Sequence, residues 1–146
     1  IMPLGDSITE GGGSSDGAGY RAWLAELIFP PRGYQCDFVG SLSTGPTTFV
    51  DQQHEGWPGE NAAFIRDNVR RFLQTNPPQV VFLMIGTNDI TDGRLPGDIR
   101  DEIGAAVDSE VASAVEATIA EAVESEIEGA VAEEIAASVV GTVRGE

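Results

Sequence analysis

The chain changes character sharply near Gly97, and this change limits which part of it can build a folded core. All ten aromatic residues lie between Tyr20 and Phe82, and the last proline is Pro96. From Asp98 to Glu146 the sequence uses only Ala, Val, Ile, Gly, Ser, Thr, Asp, Glu and Arg, with thirteen acidic residues against two arginines. Such a bias is typical of low-complexity sequence. We therefore divide the 146 residues into a core-forming part, residues 1–96, and an acidic tail, residues 97–146.

The tail carries Ile or Val at every fourth position from Ile99 to Val143. On an α-helix at ~100° per residue, each four-residue step advances the apolar position by ~40°, so the repeat winds around the helix instead of staying on one face. Alanine and glutamate favour a helix, whereas the β-branched residues and glycines weaken it. The pattern predicts a long, marginal helix or several broken ones, poorly packed against the first part, with disorder as a close alternative.

The charge balance excludes several classes of partner. The formal net charge is −16 and the sequence pI is near 4.1. Nucleic acids and anionic membranes require basic surfaces, so neither is expected as a partner. The sequence has no stretch of 18 apolar residues, so no spanning helix is expected, and the first residue already belongs to a predicted strand, so no signal peptide is recognisable. Because Ile1 is not a natural start, we expect a fragment or a processed piece. Cys36 is the single cysteine, which rules out an internal disulfide.

In the first part, apolar runs alternate with helical patterns, as in a parallel α/β sheet. We predict strands at residues 1–4, 36–39 and 79–85, the last a continuous apolar run typical of a central strand buried on both faces. One helix begins at Tyr20 and is stopped by Pro30-Pro31, and a second spans residues 60–74. The expected inward positions are Tyr20, Trp23, Leu24, Leu27 and Ile28 in the first helix and Ala62, Ile65, Val69 and Phe72 in the second. Arg66, Arg70 and Arg71 should face outward.

Two polar clusters, Asp6-Ser7 and Asn88-Asp89, follow the first and the last predicted strand. In open α/β sheets, ligands bind at the edge formed by the carboxyl ends of the strands. Each cluster alone is also ordinary turn chemistry. Together they predict a site at this edge.

Gly5-Asp6-Ser7-Ile8-Thr9 followed by Gly86-Thr87-Asn88-Asp89 resembles the first and third sequence blocks of the SGNH, or GDSL-type, hydrolases. Between them, the segments 37–41, Gly45-Pro46 and 54–59 resemble the carbohydrate-esterase branch related to acetyl xylan esterases. The resemblance covers about residues 1–92. It implies a three-layer α/β/α, flavodoxin-like parallel sheet, of which the chain holds the N-terminal part, followed by the Ala/Glu-rich tail.

By this resemblance, Ser7 is the nucleophile and its backbone N–H is one donor of an oxyanion hole. Gly59 matches the second-block glycine, whose N–H is the second donor, and the Asn88 side-chain amide is the third. In ester hydrolysis each donor aimed at the developing oxyanion is worth ~3 kcal/mol in the barrier. Without the resemblance, Gly59 would be better explained as a turn residue after Pro58.

The resemblance also implies a general-base histidine in a late Asp-x-x-His block, and the chain has no histidine after His54. Asp51-Gln52-Gln53-His54 spells this pattern, but it aligns with the segment leading to the second block. We expect His54 to be structural, with a role as a substitute base as the alternative. Such a base must come within hydrogen-bond reach of Ser7, directly or through one water.

The function implied by the resemblance is a serine esterase that deacetylates a carbohydrate ester through an acyl-serine intermediate, without metal or cofactor. One alternative is a catalytically impaired binding fragment. Another is an interaction protein that acts through its acidic tail. The resemblance implies secretion, and self-association through the tail stays open.

Three interpretations of the tail remain: an associating helical segment, a solvated spacer, or the product of a frameshifted or chimeric reading of the gene. We favour the third, because the composition changes just after Asn88-Asp89, where the related proteins would continue with another helix and strand.

Overall fold

The computed structural model describes residues 1–28, 36–49 and 51–143, and it describes side-chain burial in the last helix through residue 129 and at residues 131 and 132. The chain forms two compact units, Ile1–Val107 and Asp108–Glu146. The elements are, in chain order, β1 (Met2–Gly5), α1 (Ser7–Glu10), α2 (Tyr20–Ile28), β2 (Leu42–Ser43), β3 (Gln53–Gly56), α3 (Ala62–Thr75), β4 (Val81–Met84), α4 (Thr87–Thr91) and α5 (Pro96–Val143).

The four strands of the described residues form one sheet in the order β2-β3-β1-β4. Strand β1 lies between β3 and β4 and runs parallel to both. Strand β2 pairs antiparallel with β3, so the sheet is mixed and not purely parallel as predicted. Antiparallel strands that follow each other in the sequence, such as β2 and β3, can be joined by a loop. Parallel strands need a longer crossover connection.

Helices cover both faces of the sheet in the first unit, which confirms the three-layer α/β/α fold. On one face, Met2 and Leu4 of β1 pack against α3 and against Ala106 in the first turns of α5. On the other face, a second cluster comes from the loop before α2, from α2 itself and from the segments around β2. Its buried members are Ala18, Ala25, Phe38 and Phe49. Met2 and Leu4 thus belong to the first core, and Ile1, just before β1, packs against the second.

The second predicted helix is confirmed as α3. Its four buried residues are the four expected, Ala62, Ile65, Val69 and Phe72, while the three arginines of the helix are exposed. The helix begins at Asn61, whose side-chain oxygen accepts a hydrogen bond from the Phe64 N–H at 3.1 Å. The apolar residues of α3 are spaced three and four apart, and a capping residue precedes them. Both local signals predict the same helix, which explains why its prediction succeeded.

The predicted inward face of the first helix is partly wrong. Helix α2 buries Arg21 and Ala25, whereas Trp23 and Leu27 are 74% and 58% exposed. The expected stop at Pro30-Pro31 lies outside the described residues. Spacing alone did not reveal that Arg21 takes an inward position, because its guanidinium is held by backbone oxygens that only the fold brings together.

The strand predicted at residues 36–39 is also wrong in detail. This segment is extended and bonds to the start of the chain, with Val39 N–H donating to the Ile1 carbonyl at 2.9 Å, but it forms no strand. The strand that pairs with β1 on this side is β3, Gln53–Gly56, which the sequence did not indicate. Its residues Gln, His, Glu and Gly have low strand propensity, so tertiary context decides the pairing.

The apolar run at residues 79–85 forms β4, but β4 is the outer strand of the sheet and not a central one. All four of its residues are exposed. An apolar run of this kind is typical of a central strand, which has a neighbouring strand on each side and both faces covered. In the described part of the chain, β4 has one neighbouring strand, β1.

The tail forms a continuous helix, α5, rather than several broken ones. Within the first unit it buries Ile99 and Ala106. The Ile and Val residues of the repeat from Val107 to Val131 are each between 48% and 58% exposed. A repeat of four winds around the helix, and therefore presents no single face that one core could bury.

Gly5 provides a test of the close contact between β1 and β4. A methyl group at this position would lie 2.0 Å from the Met84 carbonyl oxygen and 2.5 Å from Thr9 Oγ1, so Gly5→Ala forces the strands apart. We expect a loss of about 3 kcal/mol in the free energy of unfolding, measured with urea.

Gly104→Ala is the matched control, since a methyl group there meets nothing within 4 Å and lies in α5. It should stabilise the chain by about 1 kcal/mol. Equal unfolding midpoints for wild type and Gly5→Ala would contradict the strand contact.

Candidate active site

The carboxyl ends of three parallel strands meet in one row of the sheet. Gly5 of β1 is in register with Gly56 of β3 and with Met84 of β4. The three residues expected at the site follow these positions closely: Ser7 after β1, Gly59 after β3 and Asn88 after β4. The topology therefore brings all three to the same edge of the sheet.

Ser7 is the first residue of α1, two positions after the end of β1. The preceding residue, Asp6, caps the helix, and its Oδ1 accepts a hydrogen bond from the Ile8 N–H at 2.9 Å. The Ser7 carbonyl accepts from the N–H groups of Gly11 and Gly12, and its side chain is partly exposed. The backbone N–H of Ser7 belongs to the first helical turn, where amides have no partner within the helix. Ser7 is thus a partly exposed residue at the start of α1, at this edge of the sheet.

Gly59 lies in a tight turn. The Glu60 N–H donates to the Trp57 carbonyl at 3.2 Å, Pro58 is the second residue of the turn, and Gly59 has φ +82°. Proline followed by a residue of positive φ is the pattern of a type II turn, which requires glycine at the third position. The turn by itself explains the glycine, and it also leaves a small exposed residue at the start of the segment leading into α3.

Asn88 lies in α4 and reaches the same segment. Its Nδ2 donates to the Glu60 carbonyl at 2.7 Å. An amide nitrogen carries two hydrogens, so this bond orients the group and leaves one N–H for another acceptor. A second link, from Trp57 N–H to the Gly5 carbonyl at 2.8 Å, joins the turn to the strand that ends before Ser7. The three candidate residues are thus connected by direct hydrogen bonds between their neighbours.

Asp89 is a positioning residue that the sequence indicated only as part of a polar turn. Its carboxylate is fully buried; Oδ2 accepts from the Ala62 N–H at 3.0 Å and Oδ1 pairs with Arg94 at 2.6 Å. A carboxylate at the first turn of α3 satisfies an amide that would otherwise lack a partner and interacts favourably with the helix dipole. It holds α4, and therefore Asn88, against the start of α3.

Arg21 is the buried charge that sequence analysis missed. Its guanidinium donates to four carbonyl oxygens, those of Thr9, Glu10, Thr44 and Gln52, at 2.8–2.9 Å, and to Thr44 Oγ1. Burial lowers the pKa of Arg21, which nevertheless stays charged because the pKa of arginine is ordinarily so high. These bonds hold the loop after α1 against the segments beside β2 and β3.

His54 is fully buried and both ring nitrogens are engaged. Nδ1 accepts a hydrogen bond from the Gly56 N–H at 2.9 Å, and Nε2 lies 2.8 Å from Thr44 Oγ1. An accepting Nδ1 carries no proton, so the neutral ring is protonated on Nε2 and donates to Thr44. Thr44 Oγ1 in turn donates to the Glu10 carbonyl at 2.7 Å.

Burial, with a smaller contribution from the Arg21 charge, lowers the pKa of His54 from its ordinary 6.5 to about 4. The ring has no free lone pair with which to take the Ser7 proton. This arrangement agrees with a structural role for His54 and opposes its role as a substitute base.

An open cleft of about 390 Å³ lies beside the Gly-rich loop. Its lining includes Glu10, Gly12, Asp16 and Thr44. Gly12 connects it to the candidate nucleophile, because a methyl group at Gly12 would lie 3.3 Å from the Ser7 Cβ. The cleft is lined by carboxylate and backbone groups that can bind hydroxyl groups, and Ser7, Gly59 and Asn88 are not among its lining residues.

Within the residues that the structure describes, no group of three or more His, Cys, Asp or Glu side chains could hold a metal ion. In the same residues, no helix is both long enough and apolar enough to cross a membrane.

Comparison with known proteins shows which family the chain belongs to. The model of the GDSL-like lipase/acylhydrolase family matches residues 4–140, and the chain therefore belongs to this family. It is 30% identical, over an alignment of 119 residues, to a multidomain esterase of Ruminococcus flavefaciens; the alignment covers 66% of this chain and 15% of that protein. The relatives found are esterases.

Solved structures agree. A family 3 carbohydrate esterase of Clostridium thermocellum is 40% identical, with a TM-score of 0.64, over 73% of this chain and 55% of that one. A family 3 carbohydrate esterase from Talaromyces cellulolyticus is 31% identical with a TM-score of 0.63, over 73% of this chain and 53% of that one. An acetyl esterase mutant with an acetate ion is 32% identical with a TM-score of 0.62 at the same coverage. The chain thus spans just over half the length of these solved relatives.

The state of His54 can be measured directly, because it is the single histidine of the chain. In a pH titration followed by NMR, its ring should stay neutral at pH 5.5 and titrate near pH 4 in the folded chain. Because the pKa of His54 is lower in the folded chain than in the unfolded chain, the free energy of unfolding depends on pH. The contribution of His54 is complete above pH 6.5, and it decreases by roughly 2–3 kcal/mol as the pH falls toward 4.

The nitrogen chemical shifts should also identify the tautomer with its proton on Nε2. The urea-unfolded chain is the control, and its ring should titrate near the ordinary value of about 6.5. A folded-state titration at that same pH would contradict the buried, doubly bonded ring.

Proposed function

We propose that this chain carries the nucleophile half of a serine esterase site that acts on acetyl esters of carbohydrates. The observation that supports it best is the position of Ser7, Gly59 and Asn88 just after the carboxyl ends of β1, β3 and β4, which lie at one edge of the sheet. Membership of the GDSL-like family supports the ester hydrolase class. The named carbohydrate and acetyl esterases among the solved relatives support the substrate.

The reaction proposed is acyl transfer through Ser7. Ser7 Oγ attacks the ester carbonyl carbon, its proton passes to water or hydroxide, and the carbonyl oxygen becomes an oxyanion. The N–H groups of Ser7 and Gly59 and the free N–H of Asn88 are the proposed donors to it. The carbon–oxygen bond to the sugar breaks, the sugar oxygen takes a proton from water, and a second water releases acetate from the acyl-serine.

In this proposal the rate of ester hydrolysis depends on which group accepts the proton of Ser7. His54 is bound on both nitrogens, and the chain has no other histidine. A hydroxyl group without a base is a weak nucleophile, but an oxyanion hole and binding alone leave ~10³-fold catalysis over water in serine proteases. We therefore expect slow hydrolysis that increases with pH as hydroxide replaces the missing base.

A second candidate function is binding of carbohydrate esters without turnover. It is favoured by the occupied Nδ1 lone pair of His54 together with the open cleft. Both candidates use the same edge and differ in whether Ser7 is acylated.

Hydrolysis of p-nitrophenyl acetate by wild type, Ser7→Ala and Asn88→Ala distinguishes the two. If Ser7 is acylated, Ser7→Ala should lower the initial rate at least tenfold, and Asn88→Ala should lower it by about 10²-fold, since one oxyanion donor is removed. Ser43→Ala is the matched control, because Ser43 is exposed in β2, away from the edge, and should keep the wild-type rate.

Equal rates for wild type and Ser7→Ala would remove the enzymatic function from this chain. In that case acetylated xylo-oligosaccharides, added to the labelled chain, should still shift the amide signals of Ser7 and Gly59. Unchanged signals would remove the binding function as well.

A further inference from the structure

A chain of charged side chains joins the first turns of α5 to the buried carboxylate of Asp89. One carboxylate oxygen of Glu102 in α5 accepts from Arg94 Nη2 at 3.2 Å, and the other accepts from Nη1 of Arg66 in α3. Arg94 Nη1 in turn donates to Asp89 Oδ1 at 2.6 Å. The guanidinium of Arg94 therefore lies between two carboxylates, one from α4 and one from α5.

The inward face of α5 explains why Glu102 takes part in this chain. Ile99 and Ala106 are buried, and Glu102 lies three residues after the first and four residues before the second. Residues at these spacings lie on one face of a helix, so Glu102 belongs to the face that is packed within the first unit. Its side chain is 19% exposed. A carboxylate at such a position needs polar or charged partners, and the two arginines provide them.

The connection between α4 and α5 places Arg94 beside Asp89. The Arg94 N–H donates to the Asp89 carbonyl at 2.9 Å, and the Asp92 N–H donates to the Asn88 carbonyl at 2.9 Å. Gly93 between them has φ +77°, a conformation that other residues rarely adopt. The backbone thus turns back on α4 directly after the helix and brings the Arg94 side chain to the carboxylate that it binds.

Asp89 and its neighbour Asn88 both bind the short segment that leads into α3. Asp89 Oδ2 accepts from the Ala62 N–H at 3.0 Å, and Asn88 Nδ2 donates to the Glu60 carbonyl at 2.7 Å. Gly59 immediately precedes this segment. Because both side chains belong to one short helix, a change in the Asp89 contact moves α4 and changes the direction of the Asn88 amide.

From these contacts we infer that Glu102 is a positioning residue for the Asn88 side-chain amide. Glu102 holds the Arg94 guanidinium, and Arg94 holds the buried carboxylate of Asp89. A planar guanidinium presents its donors in a fixed fork, so the bond to one carboxylate also sets the direction of the bond to the other. The first turns of α5 then belong to the candidate active site, although they lie in the acidic tail. The catalytic effect of this arrangement rests on the proposed function, in which Asn88 donates to the oxyanion.

A purely structural role of Glu102 is the alternative, in which it only joins α5 to α3 through Arg66. Such a role would change the stability of the chain without changing the turnover of the molecules that are folded. The two roles differ in whether the effect of Glu102 passes through the Asn88 amide.

Steady-state hydrolysis of p-nitrophenyl acetate by Glu102→Gln tests the inference. Glutamine keeps the size of the side chain and removes the charge that Arg94 binds. We expect kcat to fall about tenfold with KM unchanged within about twofold, because the amide is displaced from the developing oxyanion. Asp101→Asn is the matched control, since Asp101 is exposed on the same helix and pairs with Arg100. It should leave both constants unchanged within about twofold.

The decisive measurement repeats the substitution in the Asn88→Ala chain. If Glu102 acts through the Asn88 amide, Glu102→Gln should change kcat by less than about twofold once that amide is gone. Losses that multiply in the double variant would overturn the inference. An equal loss of kcat in Arg66→Gln would also overturn it, because the effect would then belong to the junction of α5 with α3.

NMR of the isotope-labelled chain provides a measurement that does not depend on turnover. Glu102→Gln should shift the side-chain amide signals of Asn88 and speed hydrogen exchange at the Ala62 amide about tenfold, whereas Asp101→Asn should change neither. Unmoved Asn88 signals would overturn the inference. Shifted signals in a chain that hydrolyses no ester would support it and would remove only the proposed function.

Arg94→Lys is a second variant, for use if Glu102→Gln does not fold. A lysine ammonium lacks the planar fork that holds Asp89 and Glu102 together. Arg94→Lys should therefore lower kcat by about as much as Glu102→Gln and shift the same Asn88 signals. Wild-type values of both quantities in this variant would overturn the inference.

Discussion

The position of the candidate site depends on the parallel pairing of β1 with β3 on one side and with β4 on the other. Because Gly5, Gly56 and Met84 share one row, Ser7, Gly59 and Asn88 follow strand ends at the same edge of the sheet, although up to 81 positions separate them in sequence. The pairing depends on the absence of a side chain at Gly5, where the Met84 carbonyl approaches closely. A small residue in the first sequence block is therefore both a packing requirement and a condition for the site.

A buried polar network then holds the loops around this edge. Arg21, Thr44 and His54 satisfy carbonyl oxygens and hydroxyl groups between α1, α2 and the strands β2 and β3. Removing one member of such a network leaves another buried group unsatisfied. The same property explains why His54 is a poor base: its lone pair and its proton both stabilise the fold, and its low pKa follows from burial. The single histidine of the chain is thus committed to structure.

Part of this could be predicted from sequence, and the elements show why. Helix α3 combines three- and four-residue spacing with a capping asparagine, so local signals agree and its buried residues were correctly predicted. Strand β3 gave no such signal, since its residues are polar and its pairing partner is about 50 positions away. The inward Arg21 of α2 was missed for a similar reason, because the carbonyl oxygens that bind it come from four separate positions. The sequence indicated Asp89 only as part of a polar turn. Its role in holding α4 against α3 follows from its bonds to Ala62 and Arg94.

By itself, the sequence determined the family, the α/β class, the strand ends that carry the polar clusters and the change of composition near Gly97, because these depend on residue type and local spacing. Only the tertiary structure decided that β4 is an edge strand, that His54 is buried and doubly bonded, and that the sheet is mixed. An apolar run has the same local pattern at the centre of a sheet and at its edge, since the difference lies in which neighbours are present. The same holds for a histidine, whose pKa and tautomer are set by the groups that the fold places around it.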